Sequence, residues 1–278
     1  MSGKLDDVRA KLAGFGRVLV AFSGGVDSTL LAKLARDVLG KSHVLAVTAD
    51  SPSLAREDLE GARRLARELD LEHLVIETKE VERPAYRRNT EARCFICKQT
   101  LFEELEELAA SRGFRAVLYG AIGDDRLAER PGHRAALDHD VRAPLAEAGL
   151  SKWEVRELAR ELGLSNWDKP QNACLSSRIP HGEAVTEEKL RRIEQAEAVL
   201  RALGFQQVRV RHLGTHARIE VGPEEVARLN DAELCGEIEK RFAQLGFQTV
   251  GVDRAGYRAG GADRVPIDEI PLSAISRC

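Results

Sequence analysis

The run Ser23-Gly24-Gly25-Val26-Asp27-Ser28 follows the apolar segment Val18-Leu19-Val20-Ala21-Phe22 and leads into Thr29-Leu30-Leu31-Ala32-Lys33-Leu34-Ala35. The first flank reads as a buried strand and the second as a helix, so the six residues make a strand-to-helix turn. Paired glycines at such a turn let backbone N–H groups converge on the positive end of the helix. That arrangement cradles an anion, and phosphate is its natural occupant. Ser23 and Ser28 add hydroxyl donors, and Asp27 is an acid where a magnesium–phosphate complex needs one. No lysine precedes Ser28, so the run is not a Walker A loop.

Outward from this turn, strand and helix patterns alternate over the first 120 residues. Val44-Leu45-Ala46-Val47-Thr48 is a second apolar run, followed by an amphipathic stretch from Arg56 to Leu69. Then come Leu74-Val75-Ile76, a helical stretch over 98–112, and Ala116-Val117-Leu118-Tyr119. This alternation predicts a doubly wound, mainly parallel α/β sheet covered by helices on both faces. Ligands gather at the carboxyl ends of such strands, where Asp50 and Gly120 stand beside the opening turn. Asp124 and Asp125 follow Gly120 and are candidates for magnesium or for an Asx-type turn.

Ser151 with Glu154 three residues later predicts a capped helix start. The Pro-, Asn- and Ser-rich stretch from Ser165 to Gly182 reads as a long loop. Beyond it the pattern changes to a helix over 187–203, paired strands around Val208–His212 and Ala217–Val221, a helix opened by Gly222-Pro223, another through Ile238 and Phe242, and a strand near Val250. The expected organisation is a first domain over 1–180, a small α+β domain over 181–256 and a loosely ordered tail over 257–278.

The 278 residues carry 42 basic and 45 acidic side chains, a net charge of −3, so no global basic field advertises nucleic acid. No apolar run is long enough to span a membrane, and five cysteines are too few for a disulfide scaffold. A cytoplasmic enzyme with cysteines available for metal or sulfur chemistry is expected.

Arg93-Cys94-Phe95-Ile96-Cys97-Lys98 places a Cys-x-x-Cys just before the predicted helix, and Cys174 sits in Asn172-Ala173-Cys174-Leu175-Ser176-Ser177-Arg178. A helix start and the cations Arg93, Lys98 and Arg178 are surroundings that activate cysteine. Alone, Cys-x-x-Cys fits a zinc half-site, a redox dithiol or an incidental pair. Cys235, between Leu234 and Ile238, reads as core packing, and the seven histidines show no ligand spacing. Arg209 and Arg211 read either as forked anion donors or as a solvated strand face.

The opening loop resembles that of the N-type ATP pyrophosphatases. Its order with Arg93–Lys98, Asp124-Asp125, Lys169-Pro170, Ala173–Arg178, Val208–His212 and Ala217–Glu220 resembles the LarE family of ATP-dependent sulfur transferases over about residues 15 to 255. The resemblance implies that ATP and Mg2+ adenylate a carboxylate of pyridinium-3,5-biscarboxylic acid mononucleotide, a small-molecule partner, with release of pyrophosphate. A sulfur nucleophile then displaces AMP and leaves a thiocarboxylate. It implies Ser23, Gly24, Gly25, Asp27, Ser28, Asp50 and Gly120 at ATP; Arg178, Arg209 and Arg211 at the substrate; and Asp124, Asp125 and a helix glutamate, Glu197, as metal contacts. Cys174 matches the nucleophile. With Cys94 and Cys97 it makes a plausible [4Fe-4S] set, which is favoured over Cys174 giving up its own sulfur and becoming dehydroalanine.

No membrane or nucleic-acid partner is expected, and a homo-oligomer is. The rival readings are a tRNA thiolase, which would carry a basic RNA surface, an amide-forming ligase, which would leave the cysteines without work, and a nucleotide-binding sensor.

Overall fold

The computed structural model describes residues 2–124, 131–170, 172–258 and 269–275. The chain forms two compact units. One comprises Met1–Tyr86 and Glu91–Asn172, the other Arg87–Thr90 and Ala173–Cys278. The division falls at 172/173 rather than 180/181, because the loop around Cys174 hydrogen-bonds within the second unit. The strap at 87–90 joins it there: Gly182 donates to the Asn89 carbonyl and Val185 to that of Arg87.

The first unit contains α1 (Ser2–Phe15), β1 (Val18–Ala21), α2 (Val26–Leu39), β2 (Val44–Asp50), α3 (Arg56–Glu68), β3 (Glu72–Glu77), α4 (Pro84–Arg87), α5 (Arg93–Arg112), β4 (Ala116–Tyr119), α6 (Pro131–Asp138), α7 (Pro144–Glu147) and α8 (Lys152–Glu161). Its strands run parallel in the order β3-β2-β1-β4. Alternation along the strands loads both faces. Val18, Val20, Val44, Ala46 and Leu118 pack with α1, α2, α3 and α8, whereas Leu19, Leu45, Val47, Val117 and Tyr119 pack with α5 and α6. The predicted parallel α/β sheet with helices on both faces is therefore the fold.

Helix α5 begins at Arg93, five residues before the start read from the sequence, so the Cys-x-x-Cys lies within its first five residues. The N-cap residue is Ala92, which makes no side-chain cap bond, and no local polar signal marked the start. The box at Ser151 forms as read: Glu154 N–H donates to Ser151 Oγ and Ser151 N–H to the Glu154 carboxylate. Lys4 adds an ion pair, and together these bonds lower the Glu154 pKa to about 2.

The second unit has α9 (Glu187–Ala202), β5 (Val208–Leu213), β6 (His216–Val221), α10 (Ala232–Gln244), β7 (Thr249–Asp253), β8 (Glu269–Pro271) and α11 (Leu272–Ile275). Strands β5 and β6 are antiparallel and joined through Gly214, whose φ of +67° suits glycine in the turn. Strand β7 joins β6 in parallel and β8 joins β7 antiparallel. Residues 269–275 of the supposed tail thus belong to the sheet and its flank, and Leu272 is fully buried in this core. The stretch opened by Pro223 is a 3-10 helix over Pro223–Asn230. Cys235 is core, as read, and burial pushes its thiol pKa up to about 11.

His212, one of the seven histidines without ligand spacing, is buried on this core, edge-on to Phe247 at 5.5 Å between ring centroids. Neither ring nitrogen has a hydrogen-bond partner among the described residues. Burial, then Lys189 and Arg192, hold its pKa below the ordinary value, with Glu183 opposing weakly. The fold therefore prefers the neutral ring, while the unfolded chain binds a proton near pH 6.5. Stability is full above that pH and falls as pH drops toward the folded pKa, by up to about 1.4 kcal/mol per unit. Urea titrations at pH 7.5 and 5.5 should show this loss, and His212→Phe should flatten it; an unchanged pH slope would refute the account.

Candidate active site

The order β3-β2-β1-β4 places the topological switch between β1 and β4, where a crevice opens outside the carboxyl ends of parallel strands. A cleft of 630 Å³ lies there, lined by residues of the first unit that include Ser23, Gly25, Asp27, Ser28, Gly120 and Asp124. That volume is in the range of small-molecule sites. Phe22, Ala49, Leu54, Leu101 and Ile122 give it an apolar wall suited to a flat ring.

Two glycines make the loop possible. Gly24 takes φ +67° beneath α3, where an added Cβ would meet Ala62 Cα at 3.0 Å. Gly120 ends β4 against the first turn of α2, and a Cβ there would come within 2.7 Å of the Ser28 nitrogen. Gly25 stands at the N-cap of α2 and leaves the first-turn amides without a side-chain cap. The hydroxyls brace this turn: Ser23 Oγ and Ser28 Oγ lie 3.1 Å apart, Gly25 N–H donates to Ser23 Oγ at 3.3 Å, and Ser28 Oγ donates to the Gly25 carbonyl at 3.1 Å. Convergent amides and hydroxyls at a helix N-terminus can hold a pyrophosphate.

Asp27 receives both of its hydrogen bonds from Lys152 Nζ, at 2.6 and 2.9 Å, and Asp124 Oδ2 accepts the Lys152 backbone N–H at 2.6 Å. Lys152 therefore ties the two candidate magnesium carboxylates to the start of α8. Sequence reasoning marked the helix start by Ser151 and Glu154 and did not single out Lys152; its place directly after the capping Ser151 was the available signal. Asp50 behaves otherwise. Its carboxylate pairs with Arg56, and it is not among the lining residues, although its neighbours Thr48 and Ala49 are. Asp125 lies outside the described residues. Cys94 and Lys98, one turn apart on α5, both line the cleft; Cys94 is exposed and Cys97 half-buried. Among the described residues no group of three His, Cys, Asp or Glu side chains is assembled for a metal ion.

In the second unit Cys174 is exposed at the head of the 3-10 turn Leu175–Arg178. Arg178, expected at the substrate, is instead spent inside. It is 1% exposed, its Nε and Nη2 donate to the two oxygens of Glu197 at 2.8 and 3.1 Å, and its Nη1 donates to the carbonyls of Ala173 and Cys174. Glu197 also accepts from Arg201 and from Val210 N–H. It is fully buried with both oxygens occupied, so it is neither a surface residue nor free for a metal. The Arg178–Glu197 pair holds the backbone on which Cys174 stands.

Arg209 and Arg211 lie on one face of β5, opposite Glu220 and Arg218 of β6, and all four are buried, which overturns the solvated-face reading. Arg211 forks onto Glu220 at 2.9 and 2.7 Å and donates to the Ser177 carbonyl. Arg209 donates to the Val208 carbonyl, lies 5.0 Å from the Tyr257 ring, and has no carboxylate partner among the described residues. Burial, with Arg178 nearby, holds its pKa below the ordinary guanidinium value. Arg211 and Arg218 thus share the Glu220 carboxylate, at 2.7 and 3.3 Å, and Arg209 adds a third guanidinium to the face, a surplus that suits an anion.

Strand order, loop and cleft define an ATP-splitting enzyme of the PP-loop class. A family model described as NAD synthase matches residues 5–110. An uncharacterized protein of Synechocystis sp. is 45% identical over 95% of this chain and 98% of its own length. The pyridinium-3,5-bisthiocarboxylic acid mononucleotide synthase of Lactiplantibacillus plantarum is 39% identical over 90% of each chain. The tRNA-specific 2-thiouridylase of a Caulobacter species is 32% identical over 61% of this chain and 50% of its own. The chain belongs to the pyridinium-3,5-bisthiocarboxylic acid mononucleotide synthase, or LarE, family. Among the described residues no helix is long and apolar enough to cross a membrane.

Proposed function

We propose that this protein converts a carboxylate of pyridinium-3,5-biscarboxylic acid mononucleotide into a thiocarboxylate at the expense of ATP. The observation that carries the reading is the braced loop at the switch point, joined to near full-length similarity to a synthase of the bisthiocarboxylic product. In this reading the loop amides and the Ser23 and Ser28 hydroxyls take the β- and γ-phosphates, and the apolar wall takes the adenine. The substrate carboxylate attacks the α-phosphate, pyrophosphate leaves, and the acyl-adenylate forms. A bare carboxylate resists nucleophiles, whereas AMP is a good leaving group.

Mg2+ fits the hard oxygen donors Asp27 and Asp124, which both line the cleft, one bonded to the Lys152 ammonium and the other to its backbone N–H. Bound there it would neutralise the phosphates, and Lys152 would be released toward them. Arg209 is the arginine we assign to the substrate's phosphate, since its guanidinium has no carboxylate to satisfy it among the described residues. Arg178 and Arg211 serve instead to hold the Cys174 turn.

Sulfur delivery is assigned to Cys174, with Cys94 and Cys97. Cys94 and Cys97 stand three residues apart in one helical turn, so both sulfurs share a face, and they are soft donors suited to iron. The [4Fe-4S] cluster that the family resemblance implies for Cys94, Cys97 and Cys174 would supply an exchangeable sulfide, and its formation requires the three thiols to be brought together. Anaerobic purification with iron analysis and an absorption spectrum tests this. Bound iron should be present in the wild type and lost in Cys94→Ala and Cys97→Ala. An iron-free chain that loses the mass of hydrogen sulfide once per turnover would instead make Cys174 its own sulfur source. A thiolase acting on tRNA is disfavoured by the net charge of −3.

A further inference from the structure

Asn166 lies in the segment after α8 and is buried, at 7% exposure. Its amide nitrogen donates to the Gly24 carbonyl and to Thr29 Oγ1, both at 3.1 Å. Its own Oδ1 is buried without a hydrogen-bond partner among the described residues. The orientation is dictated by chemistry, because the Gly24 carbonyl only accepts and must face the NH2 group rather than the oxygen. A buried oxygen without a partner calls for an explanation, and the two bonds of the same amide's nitrogen supply one.

The Gly24 carbonyl and the Gly25 N–H belong to one planar trans peptide, so they point in opposite directions. Gly24 has φ +67° and neither glycine has a side chain to restrain that plane. Fixing the carbonyl inward therefore aims the Gly25 N–H outward, toward Ser23 Oγ in the lining of the cleft. The bond to Thr29 ties the same amide to the first turns of α2. Downstream, Lys169 Nζ at 3.0 Å and the Asn172 amide both bond Asp58 of α3, which anchors the segment carrying Asn166.

We infer that Asn166 is a positioning residue of the adenylation step: it locks the Gly24–Gly25 peptide so that the loop presents its amide to the pyrophosphate end of ATP. This rests on the reading that the loop takes that end of the nucleotide.

The test is calorimetric titration of the full chain with magnesium pyrophosphate and, separately, with AMP. Asn166→Asp keeps the shape, removes the donor and turns an acceptor on the Gly24 carbonyl; Asn166→Ala removes the group outright. Both should weaken pyrophosphate at least ~10-fold, as expected when the misaligned Gly25 amide loses its hydrogen bond to the charged ligand, and leave AMP within about 2-fold. Unchanged pyrophosphate affinity in the folded variants, equal weakening of both ligands, or failure of both variants to fold would overturn the positioning role. Wild-type protein that binds no pyrophosphate would overturn the loop reading itself.

Discussion

Cys174→Ala should abolish thiocarboxylate formation, by at least ~10³-fold, while substrate-dependent exchange of pyrophosphate into ATP stays within about 3-fold of wild type. The two steps separate because they draw on different parts of the chain. The cleft that holds the loop is lined by the first unit, whereas Cys174 is an exposed thiol on a turn of the second. Removing the sulfur takes away a cluster ligand, or the sulfur source itself, and with it delivery of sulfur to the acyl-adenylate, while the amides, hydroxyls and carboxylates of the loop stay intact. The acyl-adenylate should then accumulate and turn over only with water or added sulfide. Sulfur transfer at the wild-type rate in this variant would defeat the assignment of Cys174.

Arg178→Met should destabilise the protein by about 3 kcal/mol, the lower end of what breaking a buried ion pair costs. Both partners are 1% exposed, and the variant leaves the Glu197 carboxylate with Arg201 and the Val210 amide but without its bidentate partner. The carbonyls of Ala173 and Cys174 lose their shared donor as well, so the rate of thiol labelling at Cys174 should change. The double variant Arg178→Met, Glu197→Gln should recover part of the stability, since the stranded charge is gone. Equilibrium urea unfolding measures both; a single-variant loss below about 1 kcal/mol would show the pair to be dispensable.

These cases separate what was legible in the sequence from what was not. The phosphate loop was legible because its signal is local: two glycines and two hydroxyls between a strand pattern and a helix pattern. The sheet was legible for the same reason, since alternation and β-branched runs mark strands one at a time. Cys174 is a candidate nucleophile through family resemblance, and the fold adds that it stands exposed on a turn. The family resemblance suggested Arg178 for the substrate and Glu197 for a metal; their pairing with each other across 19 residues, inside a core, was not legible because nothing local links them. Gly120 was placed at the cleft correctly, but the reason it must be glycine is the approach of Ser28, which only the packed fold supplies. The early start of α5 was hidden because Ala92 gives no capping signal.

The central claim is that the loop splits ATP between its α- and β-phosphates in order to activate the pyridinium carboxylate. The direct measurement is product analysis after mixing the protein with ATP, Mg2+ and pyridinium-3,5-biscarboxylic acid mononucleotide. The account predicts AMP and pyrophosphate in equal amounts, formed only when the pyridinium compound is present and matched by thiocarboxylate. Formation of ADP and phosphate, or pyrophosphate release that ignores the pyridinium compound, would contradict it.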